Sequence, residues 1–182
     1  MRALVLALLA GCASVDHFPP GTLAADPSSD RFYDEWFSKH LVALYEPSLA
    51  AKASGRRAHV VRVLLLPTWS GATSLRMVVR PHGGGVLVIR KTSGMAGYEA
   101  GHLHSNGHVV LTRRQVARVL TLLAQMDFWI AGPGLNHTRG PDGTEAVLEV
   151  VRDGRHHVVY DTYGGDLARV ARLLLHYARL GR

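Results

Sequence analysis

Histidine is the residue type best placed to do chemistry in this chain. Eleven occur in 182 residues, and three fall within HLHSNGH, as His102, His104 and His108. A zinc site needs three or four ligands converging at about 2.0–2.1 Å. On a strand His102 and His104 share a face. Asn106-Gly107 reads as a two-residue hairpin turn, which sets His104 opposite Val109 and sends His108 to the other face. The three then do not converge. No metal site is assigned, and His102 and His104 remain an incomplete pair of candidate ligands. His156 and His157 are strand neighbours that point opposite ways, so they cannot chelate together. One of them is expected to meet the core with a hydrogen-bond partner.

Other catalytic patterns are incomplete. Glu145 and Glu149 share a strand face, as a carboxylate pair for acid–base work would. Four residues along a strand place their Cα atoms about 13 Å apart, so they read as solvated or ion-paired groups. Trp69-Ser70-Gly71 is not a Gly-x-Ser-x-Gly nucleophile elbow. Gly83-Gly84-Gly85 lacks the Lys-Ser/Thr ending and following helix of a phosphate loop and reads as a turn. No catalytic residue and no cofactor is assigned. One concentrated basic feature remains: Arg169, Arg172, His176 and Arg179 fall within roughly a quarter of a helical wheel. Such a stripe could meet anionic headgroups or glycans, each basic side chain contributing about 1 kcal/mol near an anionic surface. It is also what the solvated side of an amphipathic helix looks like, with cations suited to its C-terminus.

The lone cysteine, Cys12, closes a short apolar run from Ala3 to Ala10 that follows Arg2. As a helix that run is about 12 Å long, too short for a bilayer core about 30 Å thick. It has the charge, apolar core and small-residue exit of a secretory signal. Leu9-Ala10-Gly11-Cys12 resembles the lipobox of bacterial lipoproteins. The resemblance covers the first dozen residues. It implies a leader cut before Cys12, a diacylglycerol on its thiol and an acylated new N-terminus. Two or more acyl chains anchor stably, at about 0.8 kcal/mol per buried CH₂. With Cys12 so consumed, no disulfide forms, and the fold must rest on its apolar core. Ala13, rather than Asp, after the cysteine implies the outer membrane facing the periplasm.

The elements that position these residues follow from patterning. Residues 1–11 read as the leader, 12–29 as a Pro- and Gly-rich tether, and 30–182 as one domain. The tether, a coil of 17 residues beyond Cys12, would average about 20–25 Å end to end. A helix capped by Ser29 or Asp30 carries Phe32 or Tyr33, Trp36, Phe37, His40, Leu41 and Leu44 and ends near Pro47. His59 to Leu66 is an apolar strand. Ser74 to Arg80 alternates, with Leu75, Met77 and Val79 inward and Ser74, Arg76 and Arg80 outward. Gly85 to Lys91 returns. Short strands flank Asn106-Gly107. Thr112 and Gln115 form a capping box for a helix striped by Val116, Val119, Leu120, Leu123 and Met126. Glu145 to Arg152 and Arg155 to Asp161 form a hairpin about Asp153-Gly154, and a last helix starts near Asp166. Hairpins without βαβ crossovers predict an α+β fold, an antiparallel sheet of six to seven strands packed by two or three helices.

The run GYEAGHL…LTRRQ…DFW…GPDGTEAVLEVVRDGRHHVVY is similar to small proteobacterial envelope proteins of unestablished function. It covers the C-terminal half and implies a shared fold without an activity. The net charge of +7, +6 without Arg2, suits acidic glycans or headgroups as neighbours. Nucleic acid is not expected outside the cytoplasm. The expectation is a membrane-anchored envelope lipoprotein acting as a non-catalytic binding or assembly module. The alternatives are a periplasmic enzyme, possibly metal-assisted, with its site near residues 94–108, and an inhibitor or immunity-like module using the loop at 132–143.

Overall fold

The computed structural model describes residues 16–53, 58–134 and 143–181. Cys12, its leader and most of the loop at 132–143 lie outside the described residues. Six strands, β1 (His59–Pro67), β2 (Thr73–Val79), β3 (Gly85–Thr92), β4 (Leu103–Leu111), β5 (Thr144–Arg152) and β6 (Arg155–Thr162), form one sheet in the order β4-β3-β2-β1-β5-β6. Every neighbouring pair is antiparallel. Helices α1 (Pro27–Ala43) and α2 (Leu49–Ala53) cover one face, and α3 (Arg113–Gln125) and α4 (Gly165–Leu180) the other. This is the α+β fold expected.

Central strand β1 explains why the middle of the chain reads as a nearly unbroken apolar run. Both faces of the sheet are covered there, so alternation has no solvent side to show. Val61, Val63 and Leu65 pack with Val116, Val119 and Leu123 of α3 and Leu167, Val170 and Leu174 of α4. Leu64 and Leu66, on the opposite face, pack under Phe37, Leu41 and Leu44 at α1. Val60 meets Leu49 of α2.

Two local expectations hold. Asp153 and Gly154 take φ of 52° and 78° at the β5–β6 turn, the left-handed pair of a type I′ hairpin. The Thr112 hydroxyl accepts from the Gln115 N–H at 3.3 Å, and the Gln115 side chain accepts from the Thr112 N–H at 2.8 Å, which completes the capping box.

Four expectations are corrected. Asn106-Gly107 is not a turn. The strand runs straight through it, with Asn106 opposite Arg90 and Gly107 opposite Ile89. Continuous pairing along β3 outweighs local turn propensity, and the irregularity falls instead at Lys91/Thr92. Hence there are six strands. Secondly, α1 starts earlier. Asp26 is its N-cap, accepting from the Ser29 N–H at 2.8 Å, and Pro27 stands in its first turn, where its missing N–H costs nothing. Thirdly, the expected tether is packed from His17 onward. Phe18 is 3% exposed and meets Phe37 edge-on at 6.1 Å. The Asp30 carboxylate accepts from the N–H groups of Gly21, Leu23 and Ala24 at 2.7–3.0 Å, so this aspartate organises the incoming chain rather than capping the helix. Fourthly, Ser74 and Arg76 do not face solvent. They point into the α1/α2 side, Ser74 fully buried. The one-turn α2 was not expected.

Candidate functional site

Among the described residues, a network of buried titratable groups lies between the sheet and the end of α1. α1 closes with a Schellman turn: the Tyr45 N–H donates to Val42 O at 2.9 Å and the Glu46 N–H to Leu41 O at 2.8 Å. Tyr45 is left-handed there, φ 53°, a conformation unfavourable for a residue with a Cβ. The turn delivers Glu46 onto the sheet, where it is 5% exposed.

The sheet register presents three arginines to it. Arg62 stands directly opposite Arg76 on one neighbour and Glu149 on the other. Two like charges side by side repel, and the Glu46 carboxylate resolves this. Its Oε2 lies 2.6 Å from Arg76 Nε and 3.7 Å from Arg62 Nη1, and its Oε1 3.4 Å from Arg90 Nη1. Arg62 also donates from Nη1 to Pro47 O at 2.7 Å and from Nη2 to Glu149. Glu149 is held in turn by His156 Nε2 at 2.8 Å. Burial by itself raises the Glu149 pKa. The Arg62 guanidinium and the His156 hydrogen bond outweigh it and hold the carboxyl below its ordinary value. Arg90 adds bonds to the carbonyls of Leu44 and Tyr45, and His17 Nε2 bonds Glu46 O at 2.9 Å. Each charge is therefore spent on another part of the same joint. A buried carboxylate clamped by guanidinium is a poor proton shuttle, and the network reads as a lock between α1 and the sheet.

Sequence reading placed Glu149 as solvated or ion-paired; it is ion-paired. It missed Arg62, Arg76, Arg90 and Glu46 as a unit. A signal was present: a lone charge interrupts each of two apolar strands, VVRVLLL and AVLEVV. Charges at the centres of apolar runs are tolerated when they meet.

His102 and His104, the incomplete pair of candidate ligands, lie at the start of the edge strand. His102 precedes β4 and meets Ser93 Oγ through Nδ1 at 3.1 Å. His104 and His108 are exposed on the edge strand. Among the described residues no group of three or more His, Cys, Asp or Glu is arranged to hold a metal ion. His156 and His157 both find partners, Glu149 on one face and Ala131 O at 3.0 Å on the other. A different histidine stands out. His40 is fully buried and edge-on to Trp36 at 5.4 Å, and neither ring nitrogen has a well-formed hydrogen bond. Burial, with the neighbouring Lys39 charge, pushes its pKa down to about 4.

The loops after β1 and β3 meet at one end of the sheet. Ala96 N–H donates to Ser70 O at 2.9 Å and Gly97 N–H to Thr68 O at 3.2 Å. Gly71 packs so closely on the Thr92 carbonyl that a Cβ would stand 1.8 Å from it. This brace displays Trp69 and Tyr98, 5.5 Å apart and mostly exposed.

Outside, charge is divided by face. Residues 16–53, the layer of α1 and α2 with its leading segment, hold six acids and three bases, whereas α3 and α4 hold six arginines, no lysine and one acid. Arg169, Arg172, His176 and Arg179 are all exposed on α4, as Arg113, Arg114 and Arg118 are on α3. The one acid, Asp166, pairs with Arg169 at 2.7 Å. No family model matches the chain, and no curated protein matches it.

Proposed function

We propose that this chain is a lipid-anchored, non-catalytic binding or assembly module of the cell envelope, held through Cys12 in the outer membrane and facing the periplasm. The observation that supports it best is the outward division of charge. The buried ionisable groups lock layers together, while a coherent set of arginines is left on the solvent face of α3 and α4. An array of exposed guanidinium groups on a rigid scaffold suits recognition of an anionic partner. The anchor rests on the Leu9-Ala10-Gly11-Cys12 box. In-cell labelling with a palmitate analogue, and the mass of the mature protein, test it. The expected mass is that of a chain starting at an acylated Cys12, and a free thiol there overturns the anchoring. Crosslinking in the native envelope, with the partners identified, tests the binding role.

A further inference from the structure

We infer that the arginine face of α3 and α4 docks on the peptidoglycan, the carboxylate-bearing polymer on the side of the domain turned away from its own leaflet. The inference deepens the proposal above and rests on anchoring at Cys12.

The reach of the anchor comes first. Four Cα–Cα steps lead from Cys12 to Asp16, a contour of at most about 14 Å. Beyond Asp16 the chain is fixed. The His17 N–H donates to Ser38 Oγ at 3.2 Å, Ser48 Oγ donates to His17 O at 3.0 Å, and the His17 ring bonds the backbone of Glu46. The chain therefore joins the domain on the α1/α2 side, close to any leaflet that holds Cys12. The sheet lies between that side and α3 and α4. An anchored domain thus presents its arginines away from its own membrane.

Charge then selects the occupant. Among the described residues Arg113, Arg114, Arg118, Arg172 and Arg179 have no acidic partner within ion-pair distance. All the cations on these two helices are arginine. The planar guanidinium fork matches a carboxylate or a phosphate in a two-point bond that lysine cannot copy, and of the two it is the carboxylates of the wall polymer that lie on the side turned away from the anchoring leaflet. Arg169 and Arg179 are ten residues apart on α4, about 15 Å along its axis. A surface this long is suited to repeated carboxylates on a polymer more than to one small anion. The acids on the other layer are largely consumed at home: Asp26 caps α1, Asp30 holds backbone N–H groups and Glu46 holds arginines. That leaves the polarity of the molecule set by α3 and α4.

Sedimentation of the full-length acylated protein, in mild detergent, with purified peptidoglycan sacculi tests this. The wild type should co-sediment in a salt-sensitive way. Reversing Arg172→Glu with Arg179→Glu should weaken binding by about tenfold or more. The milder pair Arg172→Gln with Arg179→Gln should weaken it less, and Arg31→Glu on the α1 side should leave it unchanged. Equal binding by the reversed variant overturns the docking surface. So does a charge-reversal effect seen only on phosphatidylglycerol vesicles, which would assign the arginines to lipid. The mass of the mature chain separates the two ideas. An unmodified Cys12 with arginine-dependent binding overturns the anchoring and leaves the surface. An acylated Cys12 with arginine-independent binding does the reverse.

Discussion

The two faces of the sheet are held by different physics. Under α3 and α4 the contact is mainly aliphatic and carries no buried ion pair among the described residues: Val61, Val63, Leu75, Met77, Leu148 and Leu174 close on one another with almost no exposed surface. Under α1 the contact combines an aromatic cluster, Tyr33, Phe37 and Tyr160, with five buried or half-buried charges, Glu46 among them. The aliphatic side tolerates substitution by shape, since any apolar group of similar volume nearly fits. The charged side does not, because each group left behind becomes an unpaired charge away from water. The difference teaches where specificity of packing resides. Apolar contact sets that α1 covers the sheet, and the ion network sets where its end comes down.

Arg62→Met breaks that contrast most sharply. It strands Glu149 and removes one neighbour of Glu46, with an expected loss of about 3–5 kcal/mol. The double variant Arg62→Met with Glu149→Leu should recover most of that loss, because both charges leave together. Urea unfolding monitored by tryptophan fluorescence reads both. On the other face, Leu174→Ala removes fully buried methyl groups and should cost about 2–5 kcal/mol. Here no second substitution of a charge should restore it. A rescue of Leu174→Ala by a polar change, or none of Arg62→Met by Glu149→Leu, would erase the distinction.

Acid sharpens the comparison from another direction. His40 is neutral when folded, with a pKa of about 4 against 6.5 for the free side chain. Its folded value is depressed, so its stabilising contribution is complete above pH 6.5 and lost as pH falls towards 4. Glu149 is depressed as well; its contribution is complete above the ordinary carboxyl value of 4.5 and disappears as pH falls below it. The α1 side should therefore weaken in two stages. Unfolding at pH 7 and pH 4.5 should differ by about 2–3 kcal/mol on account of His40. His40→Phe should shrink the upper stage, leaving the part due to His59 and His157, whose pKa values burial also lowers, and leave the lower stage intact. If it shrinks neither, burial of the neutral ring is not what ties α1 to pH.

How much of this was legible in the sequence follows the same divide. The aliphatic side was readable, because the stripes of α3 and α4 and the inward residues of β2 are one-dimensional patterns with periods of 3.6 and 2. The capping box and the Asp153-Gly154 turn are local, and both were read. The charged side was not readable. Arg62, Arg76, Arg90, Glu46 and Glu149 are brought together by strand register, which no window of neighbouring residues contains. Ser74 and Arg76 look outward in a strand read alone, and they are inward only because α1 lies over them. Asn106-Gly107 misled for the opposite reason: a strong local signal lost to a long ladder. Thr112→Ala tests the local kind of information. It should cost about 1 kcal/mol, read as a small shift in the unfolding midpoint, far less than the loss from Arg62.

The smallest effect is the one that separates the two kinds of arginine. Arg62 is enclosed and shares two carboxylates, whereas Arg172 and Arg179 stand in water on α4. Exposed charges contribute little to folding, since solvent screens them and their side chains stay free. Arg172→Glu with Arg179→Glu should therefore change stability by less than about 0.5 kcal/mol, even with the charge reversed. A thermal melt of the purified variant checks this. Arg179 lies in the last turn of α4, where a cation also complements the helix dipole, so a slight loss is the expected sign. A larger loss would mean that these arginines hold the fold, and that the solvent face of α3 and α4 belongs to the scaffold.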